Sequence, residues 1–405
     1  MDESGLLTLL TPQALRLLDE VGPVPSTDAA AAAVARLRRE GHGPELVAAV
    51  VSQARLRTRA TAKLGEWAGR MLFTPAGLEQ ATRLEVAALH AARFRDAGMT
   101  RVADLGCGLG GDSLALAGLG ISVRAVEADA VTAALAAYNL APYDVTVRHG
   151  RAEDESLADV DAVWLDPARR TPGHDGTRRV SADGYAPPLE WTLATAARIP
   201  AGVKLSPALD RGLIPAETEA QWTSVDGTLV ELALWTGALA RPGVRRAARV
   251  IRGGVAHELT AATDAPDAEV RELGAYLHEP DKAVIRARQV GETARMLGAG
   301  MLDPAIAYLT GDAAVTSPFV QTFRVREELP FETRRLAAAL RARGIGTLEI
   351  KKRGVDVDPA RLREQLKLRG DEAATLILTR TAAGRRAILA DRVRARGERG
   401  AHSGG

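Results

Sequence analysis

The stretch RVADLGCGLGGDS, Arg101–Ser113, decides how the middle of this chain folds. A short apolar run ends at Asp104, glycines follow at 106, 108, 110 and 111, and Asp112 and Ser113 open the helical run LALAGL. The order strand, glycine loop, helix then repeats outward without the glycines. SVRAVEAD (122–129), DVTVRHG (144–150), DAVWLDP (161–167) and GVKLSPALD (202–210) read as strands, with AVTAALAAYNL (130–140) and PLEWTLATAARIP (188–200) as helices among them. Strands alternating with helices predict an α/β domain with a parallel, doubly wound sheet. TLVELALWT (228–236) and RRAARVIRGG (245–254) supply two last strands, and with no helix between them they are expected to pair antiparallel.

The flanks have a different texture. Ala/Leu-rich periodic runs such as AAAAVARLRRE (30–40) and PELVAAVVSQARLR (44–57) predict a helical N-terminal domain over 1–95, ahead of the α/β domain at 96–254. AYLHEP and AIAYLTG bracket a helix from Asp281 to about Leu297, giving a small α+β unit over 255–328. Residues 329–396 form a second unit, with helices ETRRLAAALRARG and DPARLREQLKLRG between strands TLEIKKRG, AATLILTRT and AILADRV. The tail 397–405 is expected to be disordered.

Composition narrows the possibilities. A chain of 405 residues is too long for one ordinary core, and 46% hydrophobic residues suffice to pack several. MDESGLLTLLTPQALRLLDE starts acidic and has no apolar span of about 20 residues, so a cytoplasmic protein with no membrane partner is expected. The single cysteine, Cys107, forms no internal disulfide, and seven histidines scattered from His42 to His402 predict no structural metal. The net charge of +2 hides an asymmetry. From Leu329 onward there are 18 Lys/Arg against 9 Asp/Glu, leaving 35 against 42 elsewhere, so the C-terminal region carries the whole basic excess. Such a region fits either a nucleic-acid partner or a solvated arginine-rich surface.

The glycine spacing alone suits either a dinucleotide or S-adenosylmethionine, and the flanking charges separate them. Asp104 and Asp112 bracket Gly106, Gly108, Gly110 and Gly111 with no Lys or Arg between, so a pyrophosphate would meet two carboxylates. S-adenosylmethionine instead brings an ammonium and a sulfonium, and Asp104 is placed to accept from the ammonium. Glu127 ends the second strand, where nucleoside sites of this topology place an acid on the ribose hydroxyls. Asp129 is the better cap for the next helix. After the third strand, Ala152 is expected near the adenine and Glu153 or Asp154 at its amino group. Cys107 sits inside the loop beside the cofactor, so carbon methylation through a cysteine adduct is not expected.

The fourth strand delivers DPARR, Asp166–Arg170, to the same edge. This stretch is similar to the tetrad that class I S-adenosylmethionine-dependent methyltransferases use on planar amino groups, and an exocyclic base amine is a poor nucleophile because its lone pair is delocalised. Accepting its two hydrogens on Asp166 and on the carbonyl of Pro167 would localise that pair and aim it at a methyl. Arg169 would stack on the base or bind phosphate, Arg170 would bind substrate, and Trp191 or Tyr185 would be packing residues or a stacking platform.

This arrangement resembles the class I S-adenosylmethionine-dependent methyltransferases, in which an Asn/Asp-Pro-Pro-aromatic tetrad occupies that place; here Ala168 replaces the second proline and Arg169 the aromatic. The order MLFTPAGLEQAT, DLGCGLGGDS, DPARR, KLSPALD is similar to bacterial members with a THUMP-like C-terminal domain preceded by a ferredoxin-like unit, and the first half is similar to the trimethylguanosine synthase group. The resemblance implies a Rossmann-like catalytic domain over 96–254, a ferredoxin-like unit over 255–328 and a basic THUMP-like domain over 329–396. It also implies Phe73, Thr74, Glu79 and Gln80 bordering the cofactor, Lys204, Ser206 and Pro207 lining the substrate side, and an association with RNA. The expected activity is N-methylation of guanine N2 or adenine N6 in structured RNA. A methyltransferase acting on a protein glutamine or a small molecule, and a non-catalytic RNA-binding protein with a degenerate fold, fit the same residues.

Overall fold

The computed structural model describes residues 3–169, 184–381 and 383–393, which divide into two units, one of those up to 218 with 233–241 and one of 219–232 with those from 242 onward. The first begins with six helices: α1 (Glu3–Leu9), α2 (Pro12–Val21), α3 (Thr27–Arg39), α4 (Pro44–Leu64), α5 (Pro75–Gln80) and α6 (Leu84–Asp96). Side chains of Thr11, Ser26 and Thr74 cap α2, α3 and α5 by accepting from amides three residues on, satisfying donors that the first turn leaves open. Leu18, Leu37, Val50 and Leu64 are buried in the core these helices share.

The α/β part follows as β1 (Arg101–Leu105), α7 (Gly111–Gly118), β2 (Ser122–Glu127), α8 (Ala130–Leu140), β3 (Val145–His149), β4 (Ala162–Leu165), a two-residue pair β5 (Ala168–Arg169) and β6 (Tyr185–Ala186), α9 (Leu189–Ala196) and β7 (Ala201–Leu205). The strands lie in the order β7-β4-β1-β2-β3, all parallel as the sequence predicts. Register aligns their ends: Leu105 faces Val126 and Leu165, and Leu165 faces Val203. Gly106, Glu127, Asp166 and Lys204, each one residue further on, therefore come level at the carboxyl edge. Beneath them Trp164 and Trp235 press on Gly202, where an added Cβ would sit 2.6 Å from each ring.

Strands β8 (Glu219–Val225) and β9 (Thr228–Trp235) are joined by the two-residue turn Asp226–Gly227, both at positive φ, which suits a tight hairpin. β9 gives residues 233–235 to the first unit, beside β7, and 228–232 to the second. In the second unit, β10 (Arg246–Arg252) pairs parallel with β8 and antiparallel with β11 (Val255–Ala261). The expected antiparallel pairing of the 228–236 and 245–254 strands is thus corrected, because β8 lies between them.

The rest of the second unit is β12 (Tyr276–Pro280), α10 (Lys282–Arg286), α11 (Val290–Leu297), β13 (Gly300–Asp303), β14 (Ile306–Gly311), β15 (Val320–Leu329), α12 (Thr333–Ala342), β16 (Ile345–Lys352), α13 (Pro359–Leu366), β17 (Glu372–Thr381) and β18 (Gly384–Arg392). Its seven strands form one sheet, β13-β14-β12-β15-β18-β17-β16. The expected division at 328/329 falls inside β15, which pairs with β12 on one side and β18 on the other. Leu336, Leu340, Leu362 and Leu366 turn one face of α12 and α13 into the core beside Leu376, Leu378 and Leu389. Among the described residues no helix is long and apolar enough to cross a membrane, and no group of three or more His, Cys, Asp and Glu is placed to hold a metal.

Candidate active site

The glycine loop sets the site's floor. Gly106 and Cys107 both donate to the carbonyl of Val126, bending the chain sharply off β1. Gly106 has φ +98, and a Cβ there would stand 2.6 Å from the carbonyl oxygen of Asp166, so only glycine lets loop and β4 approach this closely. Asn139 of α8 fixes the loop from the other side. Its amide donates to the carbonyls of Leu109 and Leu72 at 3.0 and 3.1 Å and accepts from the amide of Leu72 at 2.7 Å. The segment before α5 is thereby bound to the loop. Phe73 next to it is fully buried, with its backbone bonded in both directions by Gln53, so its ring packs in the core. Thr74 is spent on capping α5, while Glu79 and Gln80 are exposed at that helix's end. Lys63 holds the end in place by donating to the carbonyls of Leu78, Glu79 and Ala81.

Asp104 is 1% exposed; its Oδ2 accepts from the Ser113 hydroxyl at 2.6 Å, and its Oδ1 is buried with no hydrogen-bond partner among the described residues. Burial, reinforced by the charge of Asp112, pushes its carboxyl well above the usual range. An orphaned, desolvated carboxylate oxygen beside a glycine loop is fitted to a cationic donor, and the ammonium of S-adenosylmethionine is one. Glu127 extends from β2 over the loop, Oε2 accepting from Gly108 at 3.0 Å and Oε1 from Asp129 at 2.9 Å. Each oxygen retains a second lone pair for a ribose hydroxyl. Asp129 caps α8 through Thr132. Ala152 is buried in the turn after β3, whereas Glu153 is engaged by Arg151 at 2.7 Å. Burial, with Asp104 and Glu127 nearby, pushes the Cys107 thiol well up, so it stays protonated.

Asp166 lies at the end of β4 with its Oδ2 2.6 Å from Lys204 Nζ, which also donates to Thr82 Oγ1 at 3.0 Å. Thr82 donates to Asp112 Oδ2 at 2.6 Å, and Asp112 Oδ1 is 3.0 Å from His90 Nδ1. Burial opposes ionisation of Asp112, but the bond and charge of His90, with Lys204 and Thr82, outweigh it and hold the carboxyl below its ordinary value. Pro167 is buried; Arg169 pairs through its backbone with Tyr185, and Arg170 falls outside the described residues. Tyr185 is 2% exposed and its hydroxyl accepts from the amide of Ser206 at 3.3 Å, which makes it a support for the end of β7. Thr82, His90, Asp112 and Asn139 were not among the residues read from the sequence as functional. Asp112 appeared there only as a charge flanking the loop, because its partners are 22 and 30 positions away.

Residues 320–392 match the THUMP domain-like family model, and residues 2–60 match a domain of unknown function. A protein of Mycobacterium tuberculosis, found in strains CDC 1551 and H37Rv and described as an uncharacterized S-adenosylmethionine-dependent methyltransferase, is 36% identical over 344 residues, 83% of this chain and 93% of its own. Among solved structures, a protein of Porphyromonas gingivalis W83 assigned as a methyltransferase superposes with a TM-score of 0.72 over 98% of this chain and 100% of its own, at 22% identity, and so shares the fold.

Proposed function

Because this chain belongs to the S-adenosylmethionine-dependent methyltransferases, with S-adenosylmethionine as its cofactor, we propose that it methylates an exocyclic amino group, guanine N2 or adenine N6, in structured RNA. The observation that carries this reading is the placement of Asp166, whose carbonyl packs on Gly106 and whose carboxylate stands at the same edge as Asp104 and Glu127. Bound S-adenosylmethionine supplies an electrophilic methyl. Asp104 would hold the cofactor's ammonium, Glu127 its ribose hydroxyls, and Ala152 with Glu153 its adenine. Asp166 and the carbonyl of Pro167 would accept the two amine hydrogens, holding the nitrogen lone pair free for the methyl while positive charge develops on nitrogen. Under this reading Arg169, Arg170 and Ser206 are assigned to binding the substrate.

RNA as substrate rests on the second unit. THUMP-type domains are associated with RNA, and the matched region presents Arg334, Arg335 and Arg341 on α12 and Arg361 on α13, all exposed and without an ion pair among the described residues. Mass spectrometry of RNA nucleosides from a strain lacking the gene, against its parent, tests the proposal. Loss of one N-methylated guanosine or adenosine is expected. An unchanged nucleoside profile overturns it and directs the search to a protein glutamine or a small molecule.

A further inference from the structure

The acid that ends β4 is tied to the interior of its unit by an unbroken line of polar contacts. Lys204 bridges Asp166 and Thr82, Thr82 donates to Asp112, and Asp112 meets His90. His90 is 2% exposed and lies against Trp164, with ring centroids 4.4 Å apart. These residues come from α6 with the segment leading into it, from α7, from the residue after β4 and from β7, so the line joins four separate pieces of chain. We propose that Lys204 is a positioning residue for methyl transfer: it makes Asp166 half of a charge-neutral acceptor pair, and Thr82, Asp112 and His90 anchor its ammonium there. This rests on the reading of Asp166 given above and replaces the expected contact of Lys204 with substrate.

Asp166 shares its neighbourhood with Asp104 and Asp112, and both of these charges oppose ionisation of Asp104. A protonated Asp166 would lose acceptor capacity, while an unpaired anion would stabilise a cationic cofactor before transfer as well as during it, which does nothing for rate. An amide at this position needs no counter-cation, but a carboxylate does. Lys204 supplies it, and its own orientation is set by a second acceptor, Thr82 Oγ1, whose hydrogen is committed to Asp112. Among the described residues, Lys63 lies near Lys204, with Glu79 and Arg83 beside Lys63, and Cys107 lies near Asp104, Glu127 and Asp166 on the loop side.

The decisive measurement needs no substrate. With S-adenosylhomocysteine bound and aspartate labelled at the carboxyl carbon, the Asp166 resonance, assigned through D166N, is titrated in wild type, K204M and K204R. K204M should raise its midpoint by about one pH unit or more, and K204R should restore most of the difference. Single-turnover methylation of bulk RNA from a strain lacking the gene should fall roughly tenfold or more in K204M at unchanged S-adenosylhomocysteine affinity, and the D166N/K204M pair should be no slower than D166N, as expected of residues acting as one unit. Should K204M not fold, T82V carries the same comparison with a smaller shift. An Asp166 midpoint that ignores Lys204, or rate losses that simply multiply, overturns the proposal. If wild type methylates no RNA, the substrate reading falls, while the titration still decides the role of Lys204.

Discussion

The two units use charge in opposite ways. In the first, Asp112, Asp166, Lys204 and His90 are joined through Thr82 at the carboxyl edge of one sheet, with Asp104 buried beside them. In the second, charges are many and mostly solvated. Arg343 with Glu327 and Arg386 with Glu328 form ion pairs at the surface, while the arginines of α12 and α13 point outward. A sheltered charge acts strongly over one bond length, and exposed charges act weakly but jointly over a Debye length of about 8 Å at physiological salt. The first arrangement suits chemistry at an atom, the second attraction of a polyanion.

If that contrast holds, the largest effects belong to the sheltered cluster. Asp166→Ala should slow single-turnover transfer by two or more powers of ten, about 2.7 kcal/mol or more, with cofactor affinity by calorimetry little changed. A variant that transfers at the wild-type rate while melting earlier would reduce Asp166 to a structural residue. Glu127→Ala should weaken S-adenosylmethionine binding by about 1.5–3 kcal/mol, the range for bonds to a charged partner; equal affinity would remove it from the site.

Asp104 sharpens the comparison, because its buried, raised carboxyl destabilises the unliganded protein. Its folded value lies above the unfolded one of about 3.9, so the folded state favours the protonated acid. The stability it contributes is present at low pH and is lost as pH rises from about 4 through the raised folded value. Asp104→Asn should therefore raise the melting temperature of the unliganded protein near neutrality while lowering cofactor affinity. Melting scans from pH 4 to 8 in both proteins would show it, and a variant less stable than wild type at every pH would contradict it.

Effects in the second unit should be smaller and sensitive to salt. Replacing Arg334, Arg335, Arg341 and Arg361 by alanine should flatten the dependence of log affinity for single-stranded RNA on log salt by about 0.7 for each lost phosphate contact. An identical slope would move the RNA contacts off this face. Smallest of all, Glu327→Ala should cost at most about 1 kcal/mol in denaturant melts, since its pair with Arg343 is exposed.

What the sequence revealed follows the same division between local and distant. The glycine loop, the acid that ends β2 and the acid after β4 are written in runs of a few residues and were legible as strand ends. β8 was not read as a strand, because EAQWTSV is uniformly buried yet carries Glu219 and Gln221, which hide it from any apolar pattern. β11 lies at the end of its sheet and is largely exposed, so its hydrophobic signal is weak. Lys204 was named only through a resemblance, and its bond to Thr82 spans 122 positions, a distance over which spacing rules say nothing.

The division of β9 has a consequence for how this protein is made. The first unit is incomplete at Thr218, since residues 233–241 belong to it, and the second unit has already begun at Glu219. A ribosome must therefore deliver part of the second unit before the first can close. No single cleavage of the chain yields both units whole: a cut after 218 strips the first of its last strand, and a cut after 241 deprives the second of β8.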